Sequence, residues 1–151
     1  MREHEYFPLF FSSEGKQVLV VGGGKIAERR VRTLLLFRFE ITVMSPELTP
    51  GLRELCSEGL FRWEACRYGG WPETGVDLAL ACTGSPEVNA QVCADARENG
   101  VPANRCDSRK DCDFYFPAIA ANREVVAGLA GDGGSHAATK AAAEKVREVL
   151  L

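Results

Sequence analysis

The stretch Val20-Val21-Gly22-Gly23-Gly24-Lys25-Ile26-Ala27 joins two different hydrophobic periods through the pattern G-x-G-x-x-A. Before it, Gln17-Val18-Leu19-Val20-Val21 is a continuous apolar, largely β-branched run, the pattern of a strand buried on both faces of a parallel sheet. After it, Ile26, Ala27, Val31, Leu34 and Leu35 recur at three- and four-residue steps, with Lys25, Glu28, Arg29, Arg30 and Arg32 between them. That spacing predicts an amphipathic helix. A strand, a glycine turn and a helix in this order suit a dinucleotide. Gly22 permits the tight turn and Gly24 lets a pyrophosphate approach the backbone, while Ala27 lets helix and strand pack closely. With Gly23 completing the turn, the helix start at Lys25 and Ile26 presents unpaired N–H groups to phosphate.

The same alternation continues outward. Glu40–Met44 reads as a second strand, stopped by Ser45-Pro46. Thr49 to Ser57 reads as a helix with Thr49 as N-cap and Pro50 first inside it. Leu60–Glu64 is a weak third strand, and the Gly-, Pro- and Trp-rich segment Arg67–Gly75 is a loop. Asp77–Cys82 is a buried strand ending at Thr83-Gly84, Ser85 caps a helix that Gly100 stops, and Val101-Pro102-Ala103 is a short fifth strand. Such alternation calls for an α/β domain with a parallel sheet and right-handed crossovers.

From about residue 114 the pattern changes. Phe114–Ile119 and Val125–Leu129 flank Ala121-Asn122-Arg123-Glu124 as in a hairpin, and an Ala-rich helix follows Ser135. The expected division is therefore 1–113, a dinucleotide-binding domain, and 114–151, a β-β-α unit. That unit is too small to bury a core alone, so it must pack on the first domain or on a second copy in a homodimer.

In a parallel sheet, ligands gather at the carboxyl ends of the strands. Ser45, Pro46 and Glu47 end the second strand, where the adenosine ribose is read, and no Arg or Lys lies in Met44–Glu47 to receive a 2′-phosphate. This favours NAD over NADP. Thr83 and Gly84 end the fourth strand, beside the nicotinamide half. Asn104-Arg105-Cys106-Asp107 follows the fifth, placing Asn104 among the expected cofactor-binding residues and a carboxylate at the same edge. For Glu47, Thr83 and Asp107 alike, an ordinary turn or solvated loop residue remains the plain alternative.

Composition narrows the partners. The 151 residues are 46% hydrophobic and 26% charged, enough apolar content for a real core. A net charge of −3 argues against nucleic acid held by bulk charge. No apolar run approaches the roughly 20 residues that span a bilayer. The charged opening Met1-Arg2-Glu3-His4-Glu5 is unlike a signal peptide, so a cytoplasmic protein is expected. The six cysteines show no CxxC spacing and only two histidines accompany them, which favours reduced thiols and no metal site.

Three blocks together resemble a known family. Pro8-Leu9-Phe10 with Val20–Arg30, then Cys82-Thr83-Gly84-Ser85-Pro86-Glu87-Val88-Asn89, then Asn104-Arg105-Cys106-Asp107 with Cys112-Asp113-Phe114-Tyr115-Phe116-Pro117-Ala118 are similar to the siroheme synthase dehydrogenase module and the precorrin-2 dehydrogenases. The resemblance spans nearly the whole chain. It implies a Rossmann domain followed by a small dimerisation region, and NAD-dependent oxidation of precorrin-2 to sirohydrochlorin with Asp107 at the catalytic aspartate position. A polycarboxylate substrate calls for cations, and Arg105, Arg109, Lys110, Arg123, His136 and Lys140 lie in the fitting part of the chain.

There are two departures from the family pattern. A Ser/Thr-Gly-Gly-x-Ser-Pro segment is replaced by Gly131-Asp132-Gly133-Gly134-Ser135-His136-Ala137, and the further helical module of longer bifunctional members has no counterpart in these 151 residues. Metal insertion into sirohydrochlorin and a non-catalytic NAD sensor stand as the alternatives to dehydrogenation.

Overall fold

The computed structural model describes residues 4–73 and 75–151. Thr74, within the expected Arg67–Gly75 loop, and Met1 to Glu3 of the charged opening lie outside the described residues. The chain divides into two compact units, Ser12–Phe114 and a second that gathers residues up to Phe11 with Tyr115–Leu151. The N-terminal residues, assigned by the sequence to the first domain, thus cluster with the second. Tyr6 sets its ring edge-on to Tyr115, with centroids 4.4 Å apart.

The larger unit is a parallel five-stranded sheet. In chain order it runs β1 (Gln17–Val21), α1 (Lys25–Leu34), β2 (Glu40–Met44), α2 (Pro50–Ser57), β3 (Arg62–Glu64), β4 (Leu78–Ala81), α3 (Pro86–Glu98) and β5 (Ala103–Arg105). The strand order is β3-β2-β1-β4-β5, so β1 is central and the direction of winding reverses between β1 and β4. That reversal opens the crevice in which such sheets hold nucleotides. Val18 to Val21 are buried, as a central strand requires. On one face, α3 lays Val92, Cys93 and Ala96 against Leu19, Val21, Ala79, Ala81 and Ala103. The three strand alanines and Ala96 let that helix come close. The α1 stripe Ala27, Val31 and Leu34 is buried too.

Two strands depart from the sequence reading for one reason. Leu60 and Val101, expected to open β3 and β5, instead finish the preceding helices. Their N–H groups donate back to Leu55 O (3.2 Å) and Ala96 O (2.8 Å), while Gly59 and Gly100 donate to Cys56 O and Arg97 O. These are paired helix-ending bonds that satisfy otherwise orphaned carbonyls. β5 therefore starts two residues late and includes the polar pair Asn104 and Arg105. β4 is also shorter than expected: at its start the Asp77 N–H donates to Gln17 O (2.8 Å), and the Asp77 carboxylate in turn accepts the Gln17 N–H (2.8 Å) and the Lys16 ammonium (3.2 Å). These bonds hold the Asp77 carboxyl below the usual range.

In the smaller unit, β6 (Ala118–Ala121) pairs antiparallel with β7 (Val126–Leu129), and α4 (His136–Leu150) starts at the Ser135 cap. Asn122 builds the turn, its side-chain oxygen accepting the N–H groups of Glu124 and Val125 at 2.9 and 2.8 Å. The first hairpin strand is shorter than expected, since Phe114 to Pro117 precede it as irregular chain.

Candidate functional site

The carboxyl ends of β1, β2, β4 and β5 bring Gly22–Gly24, Ser45–Glu47, Thr83–Gly84 and Asn104–Asp107 to one edge of the sheet. At its centre, Gly22 adopts φ +122°, and a Cβ there would collide with the Cys82 carbonyl of the neighbouring strand. Gly23 is excluded from carrying a side chain for another reason. Its Cβ would collide with Glu47 O and come within 2.8 Å of Ser45 Oγ. Gly24 meets nothing within 4 Å. So two glycines seat the turn against its neighbours, and the third leaves open space above the start of α1.

That helix start fits a dinucleotide. Gly24 is its N-cap and no side chain caps it, while the first intrahelical bond runs from Glu28 N–H to Gly24 O. The N–H groups of Lys25, Ile26 and Ala27 precede that bond and share the positive end of the helix dipole. Lys25 and Ile26 are exposed, and Ala27 is buried beneath them.

The β2 end of the edge is tied down by its own turn. Ser45 is buried, and its hydroxyl donates to Glu47 O (2.7 Å). Trp63 Nε1 donates to Ser45 O, and the Thr49 N–H donates to Gly23 O. Pro46 and Glu47 project outward and are exposed. Ser45 therefore shapes this turn, and Glu47 is left as its acidic group.

At the β4 end, one residue that the sequence reading gave no role organises everything. Asn89 on α3 is fully buried. Its Oδ1 accepts the Thr83 N–H (3.0 Å) and Thr83 hydroxyl (2.7 Å), and its Nδ2 donates to Thr83 O (3.1 Å). Thr83, expected to face the cofactor, spends its hydroxyl on this lock. Gly84 remains exposed beside it. The signal was available, since Asn89 lies three residues before Val92 on the apolar stripe of its helix. We expect Asn89→Ala to lose about 1–3 kcal/mol of stability, the cost of leaving buried donors and acceptors unpaired. Urea unfolding followed by circular dichroism checks this.

The β5 end carries a carboxylate, Asp107. Arg105 grips Asp107 with two bonds, Nε to Oδ1 at 2.8 Å and Nη2 to Oδ2 at 3.1 Å. The same guanidinium reaches Asp111 Oδ2 (3.0 Å) and the Pro86 carbonyl (3.2 Å). The Arg105 side chain is only 13% exposed, against 28% for Asp107. The Arg105 fork holds the Asp107 carboxyl below the ordinary carboxylate range, burial opposes this, and the Asn89 amide adds to the lowering. Asp107 is thus an ionised carboxylate in a fixed orientation.

Asn104 turns inward from the same edge. Its Oδ1 accepts from Arg30 of α1, and its Nδ2 donates to Phe114 O (2.8 Å). This makes its side chain a tie between α1, β5 and the chain after Cys112. Arg109 opens a short 3₁₀ turn, Arg109–Asp111. His136 and Lys140 stand four residues apart and exposed on the first turns of α4 in the other unit.

All six cysteines carry free thiols. Burial pushes the thiols of Cys82 and Cys93 up to about 11, so they are poor thiolate donors. Among the described residues no group of three or more His, Cys, Asp and Glu is arranged to hold a metal ion, and no helix is long and apolar enough to cross a membrane.

The family model described as putative NAD(P)-binding matches residues 9–118. The chain is 40% identical over 144 residues to the probable multifunctional siroheme biosynthesis protein HemA of Ruminiclostridium josui, covering 95% of this chain and 28% of that protein. It is 34% identical over 146 residues to siroheme synthase 3 of Aeromonas hydrophila, covering 97% and 31% respectively. The chain thus spans less than a third of the length of these curated relatives. Among solved structures, SirC, a precorrin-2 dehydrogenase, superimposes with a TM-score of 0.79 at 26% identity, over 95% of this chain and 71% of that one.

Proposed function

We infer that this chain, which belongs to the NAD(P)-binding family of siroheme synthase dehydrogenase modules and precorrin-2 dehydrogenases, oxidises precorrin-2 to sirohydrochlorin with NAD. The observation that carries this reading is the presence, on one sheet edge, of an open, uncapped helix start at Gly24 and an ionised carboxylate at Asp107. NAD, when bound, supplies the hydride acceptor for the reaction. The α1 N–H groups hold the pyrophosphate, and the Ser45–Glu47 turn receives the adenosine ribose, with Glu47 favouring a free 2′-hydroxyl over a phosphate. Asp107 takes the proton that the substrate loses alongside the hydride. The balance is two electrons and one proton leaving as hydride, with a second proton passing through Asp107 to water.

The substrate's carboxylates call for cations, a role that Arg109, His136 and Lys140 fit by charge. A homodimer built on the smaller unit is part of the same reading. Phe7, Leu9, Phe10, Val125, Val126 and Val149 of that unit are exposed, an apolar surface that a second copy would cover. Sedimentation equilibrium is expected to give a dimer, and a concentration-independent monomer counts against it. A soluble, cytoplasmic setting goes with this reading.

The function itself is tested by incubating the purified protein with precorrin-2 and NAD, without metal. Sirohydrochlorin absorbance should rise in step with NADH. Tight NAD binding with no NADH formed would sink the dehydrogenase reading in favour of a sensor.

A further inference from the structure

We propose that Arg105 is a positioning residue for proton transfer, fixing the orientation of Asp107 instead of receiving a substrate carboxylate. The inference rests on the reading of Asp107 as the proton acceptor. Its basis is the occupancy of the guanidinium. All three of its nitrogens already donate to protein oxygens: two to Asp107, one of these also to the Pro86 carbonyl at the start of α3, and the third to Asp111. A cation meant for substrate would face the solvent side of the cleft, yet this one is the more buried member of its ion pair.

The arrangement also removes a degree of freedom from the acid. A carboxylate two bonds from its own loop can rotate about χ1 and χ2, whereas a two-point grip from a planar fork fixes both oxygens in one plane. Arg105 is itself anchored to α3 through Pro86 O, so Asp107 is referenced to the rigid sheet and helix layer and not to its loop. Correct placement of a reacting group is worth a great deal, since a displacement of about 1 Å can cost roughly 10²-fold in rate.

The charged and polar groups around Asp107 agree with this assignment. From β5 comes Arg105, and from the 3₁₀ turn comes Asp111, which shares the guanidinium. From α3 comes the neutral Asn89 amide. Beside Asp107 sits the Cys106 thiol, raised by burial and by the Asp107 charge, and Arg30 of α1 acts on that thiol in the opposite sense. Arg105 is the cation in direct contact with the carboxylate, so its removal leaves Asp107 with a like-charged neighbour at Asp111. The sign follows. The carboxyl titrates at higher pH, and the basic form that accepts the proton is lost earlier on acidification.

The test is the pH profile of kcat and kcat/KM for precorrin-2 at saturating NAD, in Arg105→Ala, Arg105→Lys and Asp107→Asn. Each variant is first checked for its fold by circular dichroism and for NAD affinity. For Arg105→Ala we expect the acid limb to move to higher pH and plateau kcat to fall about 10- to 10²-fold, with KM for precorrin-2 little changed. Arg105→Lys keeps the charge and loses the fork, so it should restore the acid limb but not the plateau. A wild-type limb and plateau in Arg105→Ala overturns the proposal, and so does a rise in KM alone, which is the mark of a substrate receptor. If Arg105→Ala does not fold, Arg105→Lys decides: a lowered plateau supports the proposal and an unchanged one overturns it. Wild-type turnover in Asp107→Asn removes the proton-acceptor reading itself, whereas loss there with an unaffected Arg105→Ala overturns only the role of Arg105.

Discussion

We expect Gly24→Val to yield a folded protein whose binding of NAD is strongly weakened. The three glycines of the turn differ in their surroundings. Gly24 sits at φ −87° and ψ −168°, an extended conformation that valine adopts freely, and an added Cβ meets nothing within 4 Å. The cost to the fold is then the weaker N-cap preference of valine, on the order of 1 kcal/mol. On the proposed reading, the open space it fills is the space a pyrophosphate enters to reach the α1 N–H groups. We expect NAD affinity to fall by roughly 10²-fold or more, at least about 2.7 kcal/mol. Calorimetric titration with NAD, alongside a thermal melt, reads both quantities. Gly22→Val and Gly23→Val should fail differently, by losing the fold. The first combines φ +122° with a collision on the Cys82 carbonyl, and the second collides with Glu47 O. Tight NAD binding by a folded Gly24→Val protein would remove the cofactor assignment of this turn.

How far the sequence could be read depended on whether hydrophobic pattern and burial coincide. They coincide in β1, α1 and β2, whose bounds follow directly from the apolar run, the change of period at Lys25 and the stop at Ser45. Thr49 and Ser85 were also legible as caps, because a hydroxyl followed by proline has a local mechanism that tertiary structure does not override. Both accept the expected backbone N–H, from Leu52 and Val88. Pattern and burial part company at β5. Val101 is apolar and buried but ends α3 instead of opening the strand, while a buried position within the strand goes to Asn104, whose polar atoms are satisfied by Arg30 and Phe114. Hydropathy cannot see a buried amide that has found partners far away in the chain.

The site was legible as an edge and not as a set of contacts. Strand ends tell which residues meet, so Gly24, Glu47, Gly84 and Asp107 were expected on one rim, and the structure brings them to one. They do not tell which of the neighbours face a ligand and which hold the rim together. Ser45, Thr83 and Asn104 each occupy a cofactor-like position, and each commits its side chain to the protein. Asn89, which holds Thr83, entered the sequence reading only as one letter of a motif. A polar residue on an otherwise apolar helix stripe is the physical signature of such a lock.

Asp107→Asn should lower turnover by roughly 10²- to 10⁴-fold, the usual worth of a positioned acid–base group, with NAD affinity nearly unchanged. The substitution keeps the shape and one acceptor oxygen for Arg105 while removing the charge and the basic lone pair. The wild-type pH dependence carries a sign that can be checked beforehand. Arg105 lowers the Asp107 carboxyl, so the basic form is present throughout the neutral range and is lost only as pH falls through that lowered value. The stability contributed by the ion pair follows the same course, present above the unfolded carboxyl value and lost on acidification. A low value also makes Asp107 a weak base, and its proton passes readily to water once the substrate has given it up. Asp113 provides the control, because it accepts the Ala103 N–H at 2.9 Å and pairs with Arg97, holding β5 in place. Asp113→Asn should therefore lose stability while a folded sample keeps its turnover. Asp111 is a poorer control, since it shares Arg105 with Asp107. Single-turnover absorbance with precorrin-2 and saturating NAD separates the two. Wild-type rates in Asp107→Asn end the proton-transfer role, and loss of NAD binding there would make Asp107 a support of the cleft instead of a reactant.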